Sequence, residues 1–180
     1  MVYIIIALKS EAQAFVDRYK LKKESLEGYK IFKDDKMILI VSGIGVDRAR
    51  LATQTLINYF DITDDDIYLN IGICGADKSY KIGELIEIGN IEYEQQTYSF
   101  KKDIKTTISC FDIEVTEARY NIVDMESFGF YDAVVHSTAI KRKYILKVVS
   151  DHFEPIKITK ESTKAVIFNK LDDINKILFQ

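Results

Sequence analysis

Three stretches of the sequence place acidic side chains directly after apolar runs. Glu11 lies three residues beyond "VYIIIAL" (2–8). Asp124 and Glu126 flank Met125 in "NIVDMES" (121–127). Asp151 closes "KYILKVVSD" (143–151) with Ser150 beside it. Carboxylates do two kinds of work in a site. Ionised, they take protons and stabilise developing positive charge; protonated, they hand a proton to a leaving group. Each also has a plain structural explanation. Glu11 in the first turn of a helix favours the helix dipole. Asp124 reads best as a capping carboxylate, Glu126 falls where a helix begins, and Ser150–Asp151 fits a turn. Two glycine pairs lie nearby, "SGIG" (42–45) and "GICGA" (72–76). The first reads as tight strand-to-helix packing. The second could turn backbone N–H groups toward an anion or a polar ligand.

The elements that must position these groups follow from hydrophobic periodicity. Val2–Leu8 is apolar without alternation, as in a strand buried on both faces. Ser10 is expected to cap a helix over "EAQAFVDRY". "GYKIFKD" and "MILIVS" predict two strands joined by a turn at "DDK", and "VDRARLATQTLINYF" an amphipathic helix. "DIYLNIG" predicts a buried strand ending in a glycine turn, and "KIGELIEIGNIEYEQ" one or two more. "TTISCFDIEV" reads as a strand, "KYILKVVSD" as another, and "KESTKAVIFNKLDDINKILF" as an outer helix. Strands alternating with helices predict a three-layer αβα sandwich around a central mixed, mostly parallel sheet. In such sheets ligands bind at the carboxyl ends of strands, where Glu11, Gly72–Gly75, Glu126 and Asp151 all fall.

Composition narrows the partners. A chain of 180 residues with 47% hydrophobic content suits one domain over 1–180. The net charge of −3 and the scatter of basic residues argue against nucleic acid as the main partner. No apolar run approaches the roughly 18 residues of a membrane span, and "MVYIIIALKSEAQAF" lacks the basic start of a signal peptide. Cys74, Cys110 and two isolated histidines have no metal-ligand spacing, so no metal or other cofactor is expected. The thiols read as reduced, in a cytoplasmic protein.

Taken in order, "IIIALKSEAQAF", "VSGIGVDRARLATQTLI", "YLNIGICGADKSYKIGELIEI", "VDMESFGFYDAV" and "LKVVSD" resemble the nucleoside phosphorylase and nucleosidase superfamily. The branch most similar is methylthioadenosine/S-adenosylhomocysteine nucleosidase, and the resemblance covers residues 3–95 and 120–152. It implies roles. Glu126 would grip the ribose hydroxyls, with Met125 along the sugar and Ile44 near the 5′ substituent. Glu11 would orient or deprotonate the attacking water. Asp151 would protonate the purine ring, supported by Ser150. A homodimer is implied as well.

The chain also departs from that pattern. Ile73 stands at the hydroxyl position of the family's "GSCGA"-like turn, and Asn70 where purine phosphorylases carry an arginine. An apolar side chain offers an oxyanion nothing, so water is favoured over phosphate as nucleophile. Lys147 stands where the nucleosidases have an arginine, keeping the charge but not the fork. The region between "IEYEQ" and "YNIVDME" is shorter than in the family, and Phe111 is the candidate for an aromatic stacked on the base. The resemblance thus implies hydrolysis of a purine nucleoside or 5′-thionucleoside. The alternatives are phosphorolysis and a non-catalytic nucleoside-binding regulator.

Overall fold

The computed structural model describes residues 1–179. In chain order, β1 (Val2–Ile6) leads into α1 (Lys9–Tyr19). A meander follows: β2 (Lys22–Leu26), β3 (Tyr29–Lys33) and β4 (Met37–Val41). Then come α2 (Val46–Tyr59), β5 (Ile67–Ala76), β6 (Leu85–Glu87), β7 (Asn90–Tyr93), β8 (Gln96–Ser99), β9 (Thr107–Cys110) and β10 (Ile122–Asp124). The chain closes with α3 (Ser127–Val135), β11 (Arg142–Asp151), a 3-10 turn (Pro155–Lys157), α4 (Lys160–Phe168) and α5 (Leu171–Leu178).

All eleven strands join one mixed sheet in the order β2-β3-β4-β1-β5-β10-β9-β7-β8, with β11 between β5 and β6. Its centre, β4-β1-β5-β11, is parallel. Antiparallel pairing lies outside that centre, as in the β2-β3-β4 meander and the β7-β8 hairpin. The absence of alternation in β1 has a simple cause, since both faces are covered. Ile4 and Ile6 pack with Phe15 of α1, Ile167 of α4 and Ile174 of α5. Tyr3 and Ile5 pack on the opposite face with Leu56 of α2 and with Phe130 and Val134 of α3. The result is the three-layer sandwich expected from the sequence.

Four local expectations are corrected. Ser10 does not cap α1; the helix starts at Lys9, and the free Leu8 N–H is taken by Glu11 Oε2 at 2.8 Å. "GICGA" is not a turn. β5 runs straight through it because β11 continues alongside from Ile67 to Gly75, and neither Gly72 nor Gly75 has positive φ. Gly72 is required for closeness instead: a Cβ there would lie 3.0 Å from Glu11 Oε1. "TTISCFDIEV" is a strand only at Thr107–Cys110. The C-terminal helix is two helices. The Lys170 N–H closes a tight turn on Ile167 O at 2.9 Å, which lets Ile167, Leu171, Ile174 and Leu178 all reach the sheet. β2, "KKESL", carries no apolar alternation and was not expected. The "DDK" turn forms as expected, with Asp34 Oδ1 accepting from the Lys36 and Met37 N–H groups, each at 2.8 Å.

The crossing of α2 and α3 is set by one glycine. A Cβ on Gly129 would sit 1.9 Å from Val46 O in the first turn of α2. No rotamer change relieves a clash with backbone, so the two helices must separate. Gly129→Ala is expected to cost about 2–3 kcal/mol and to lower Tm by roughly 5–10 °C, as read by thermal unfolding. An unchanged Tm would show that the helices do not need this approach.

Candidate active site

The carboxyl ends of β1 and β5, the last residues of β11 and the turn from β10 to α3 surround one cavity of about 280 Å³. That is close to the lower end of the roughly 300–1,000 Å³ usual for small-molecule sites. Glu11, Ile44, Ile73, Met125, Glu126, Ser150 and Asp151 all line it. Seven of the nine residues singled out from sequence are thus brought together from five separate segments.

Glu11 is fixed by backbone. Its Oε1 accepts from Ile73 N–H at 2.9 Å and its Oε2 from Leu8 N–H at 2.8 Å. β1 pairs with β5 as far as Asn70, and β10 takes up pairing with β5 at Gly75. The Ile73 N–H falls between these ladders, and the Glu11 side chain satisfies it there. Burial pushes the Glu11 carboxyl above the ordinary glutamate range, against the two N–H bonds and the cation of Lys147.

Asp124 and Glu126 divide their work. Asp124 caps α3: Oδ2 accepts from Ser127 N–H at 2.9 Å and Oδ1 from the Ser127 hydroxyl at 2.7 Å. That is the capping role read from the sequence, and Asp124 also pairs with Lys147 at 2.7 Å, which the sequence did not show. Glu126 Oε1 accepts from Gly45 N–H at 3.1 Å, tying "SGIG" to the site. Burial and the neighbouring Asp124 push Glu126 up to about 7, with Lys147 opposing. At the far side, Ser150 Oγ lies 2.7 Å from Asp151 Oδ2 and 3.1 Å from Cys74 O, while Asp151 Oδ1 accepts from Glu154 N–H at 2.8 Å.

Two expected positions lie elsewhere. Lys147 does not line the cavity; it is 1% exposed, behind the wall, against Asp124. Phe111 lines a separate groove and packs edge-on against Tyr120, with ring centroids 4.8 Å apart. β9 ends at Cys110, and the chain then crosses the cavity with Ile113, Glu114 and Val115, so this wall carries two aliphatic side chains and a carboxylate in place of an aromatic ring. Those three, together with Pro155 and Ile158, were missed. They belong to segments without periodicity, and only the proximity created by folding marks them.

Comparison with known proteins gives the same architecture. No protein-family model and no curated protein matches the sequence. Solved structures do match. The 5′-methylthioadenosine/S-adenosylhomocysteine nucleosidase of Colwellia psychrerythraea, in complex with adenine, is 18% identical; the match covers 98% of this chain and 93% of that one, with TM-score 0.79. The fold is that of these nucleosidases. The Neisseria meningitidis nucleosidase in complex with methylthio-immucillin-A is 17% identical over 98% of each chain, TM-score 0.77. Futalosine hydrolase of Helicobacter pylori is 15% identical over 96% of this chain and 97% of its own, TM-score 0.72.

The raised Glu126 has a consequence for stability. A carboxyl at 4.5 unfolded and about 7 folded binds a proton more tightly when folded. Its contribution is therefore present below pH 4.5 and lost as pH rises through about 7. Denaturant midpoints of the wild type should fall between pH 5 and 7.5, and Glu126→Gln should flatten that fall. A midpoint that rises across this window would refute the assignment.

Proposed function

We propose that the protein hydrolyses the N-glycosidic bond of a purine nucleoside or 5′-thionucleoside. The observation that carries this reading is the convergence of Glu11, Glu126 and Asp151 on one cavity whose lining includes no lysine, arginine or histidine. Cleavage builds positive charge on the ribose, which carboxylates stabilise. In this reading Glu126 grips the ribose hydroxyls, Met125 lies along the sugar, and Ile44 lies toward the 5′ substituent. Glu11 takes a proton from water as its oxygen bonds to the anomeric carbon. The electron pair of the broken bond leaves with the base, which takes a proton from Asp151, held in place by Ser150.

Water is favoured over phosphate as nucleophile. Ile73 presents an aliphatic side chain, and Lys147, behind the wall, is buried and paired. An anion entering this cavity would face carboxylates without a counter-charge. The solved relatives named above support the same chemistry by their names, which speak of nucleosidases and a hydrolase. The whole chain is read as one catalytic domain, and the two buried unpaired thiols fit a reducing cytoplasm. A homodimer fits the rim of the cavity, where Ile44 and Ile113 are exposed apolar residues.

The test is free-base release from methylthioadenosine, S-adenosylhomocysteine, adenosine, inosine and guanosine, with and without phosphate. Release independent of phosphate is expected. Asp151→Asn should lower kcat about 10²–10⁴-fold, and Glu126→Gln should lower kcat/KM by at least about 100-fold through lost charged hydrogen bonds. Release only with phosphate would make the protein a phosphorylase. Nucleoside binding without release from any substrate would make it a binding protein.

A further inference from the structure

The centre of the charge arrangement is a residue that no substrate can touch. Lys147 lies in the middle of β11, flanked by β5 and β6. Its ammonium pairs with Asp124 Oδ2 at 2.7 Å, and both side chains are 1% exposed. Glu11 lies close by: the point where a Gly72 Cβ would sit is 3.0 Å from Glu11 Oε1 and 3.8 Å from Lys147 Nζ. The missing Gly72 side chain is thus what leaves the ammonium and this carboxylate facing one another.

We propose that Lys147 is a positioning residue that sets the ionisation of Glu11 and Glu126 from behind the cavity wall, with Asp124 opposing it. The assignment rests on the hydrolase reading only for its kinetic consequences. A buried carboxylate without a nearby cation protonates, and a protonated Glu11 could not take a proton from water. Lys147 supplies that cation without offering it to a ligand. Asp124 keeps the buried ammonium paired through Oδ2, and the same oxygen accepts from the Glu126 N–H at 3.3 Å, so its negative charge stands beside Glu126 and acts in the opposite sense.

The groups packed around Lys147 are acidic or neutral. β10 contributes Asp124, the turn after it Glu126, and α1 Glu11. β5 contributes Cys74, whose thiol is held up by burial and stays neutral. β6 places Ile86 opposite Lys147, and the neighbouring Glu87 is taken by Lys101 at 2.5 Å. Burial alone would lower the lysine; Asp124, Glu126 and Glu11 together hold it above the ordinary lysine value. It therefore stays charged across the working range.

The experiment is a direct titration of the glutamate carboxyl groups by carbon-13 NMR, alongside the pH profile of kcat/KM, in wild type, Lys147→Met, Lys147→Arg and Asp124→Asn. The NMR arm reads ionisation whether or not any nucleoside turns over, so it separates this proposal from the hydrolase reading. Lys147→Met should raise the Glu11 and Glu126 midpoints by about one pH unit or more and move the acid limb of the rate profile up with them. Lys147→Arg should restore both. Asp124→Asn should lower the Glu126 midpoint, a shift of opposite sign that stands even if Lys147→Met fails to fold. Unchanged midpoints in Asp124→Asn, or midpoints in Lys147→Met that match the wild type, would overturn the assignment.

Discussion

The site depends on an interruption in the sheet. β5 is paired along one side by β11 for nearly its whole length, but its other partner changes from β1 to β10. Between the two ladders a backbone N–H at Ile73 lacks a strand partner. Burying it unsatisfied would cost about 1–3 kcal/mol. Glu11 fills the position, and by spanning Leu8 and Ile73 it fastens the start of α1 to the middle of β5. The carboxylate proposed to activate water is therefore also a structural strut. Its geometry is set by rigid backbone on both sides, which is the preorganisation that acid–base chemistry needs.

Around that strut the fold concentrates negative charge and then restrains it. Glu11, Asp124, Glu126 and Asp151 line one small cavity, and burial pushes the Glu11 and Glu126 carboxyls toward protonation. Two features oppose it: backbone N–H groups aimed at Glu11 and Glu126, and the buried Lys147. The carboxylates proposed as base, ribose clamp and acid are thus held in one small space, beside the aliphatic side chain of Ile73.

The second connection is helical. Gly129 lets α3 press against the first turn of α2, and the same turn of chain carries Ile44 and the Gly45 N–H that meets Glu126. Close packing on one sheet face thus fixes a wall of the cavity. The walls made by Ile113–Val115 and by Pro155 and Ile158 hang instead from strand ends, where side chains can change without disturbing the fold.

The sequence by itself determined the layers and the chemistry-bearing ends. Continuous apolar runs in β1, β5 and β11 require cover on both faces. Carboxylates placed after such runs, at Glu11 and Asp151, gather where parallel strands finish, and Glu126 joins them from the turn after β10, which runs antiparallel to β5. Local pattern also carried the Asp34 turn and the Asp124 cap, because both are contacts within a few residues. Tertiary structure alone decided the rest. Lys147 reads as a site cation in the family's arginine position until folding sets Asp124 against it behind the wall, and Phe111 reads as a stacking ring until β9 ends one residue short of it. Gly72 and Gly75 look like a turn until β11 extends β5 through them, and the final helix looks continuous until the sheet must be covered by both halves. In each case the deciding partner is remote in sequence, and no local periodicity can encode a neighbour that only the folded chain supplies.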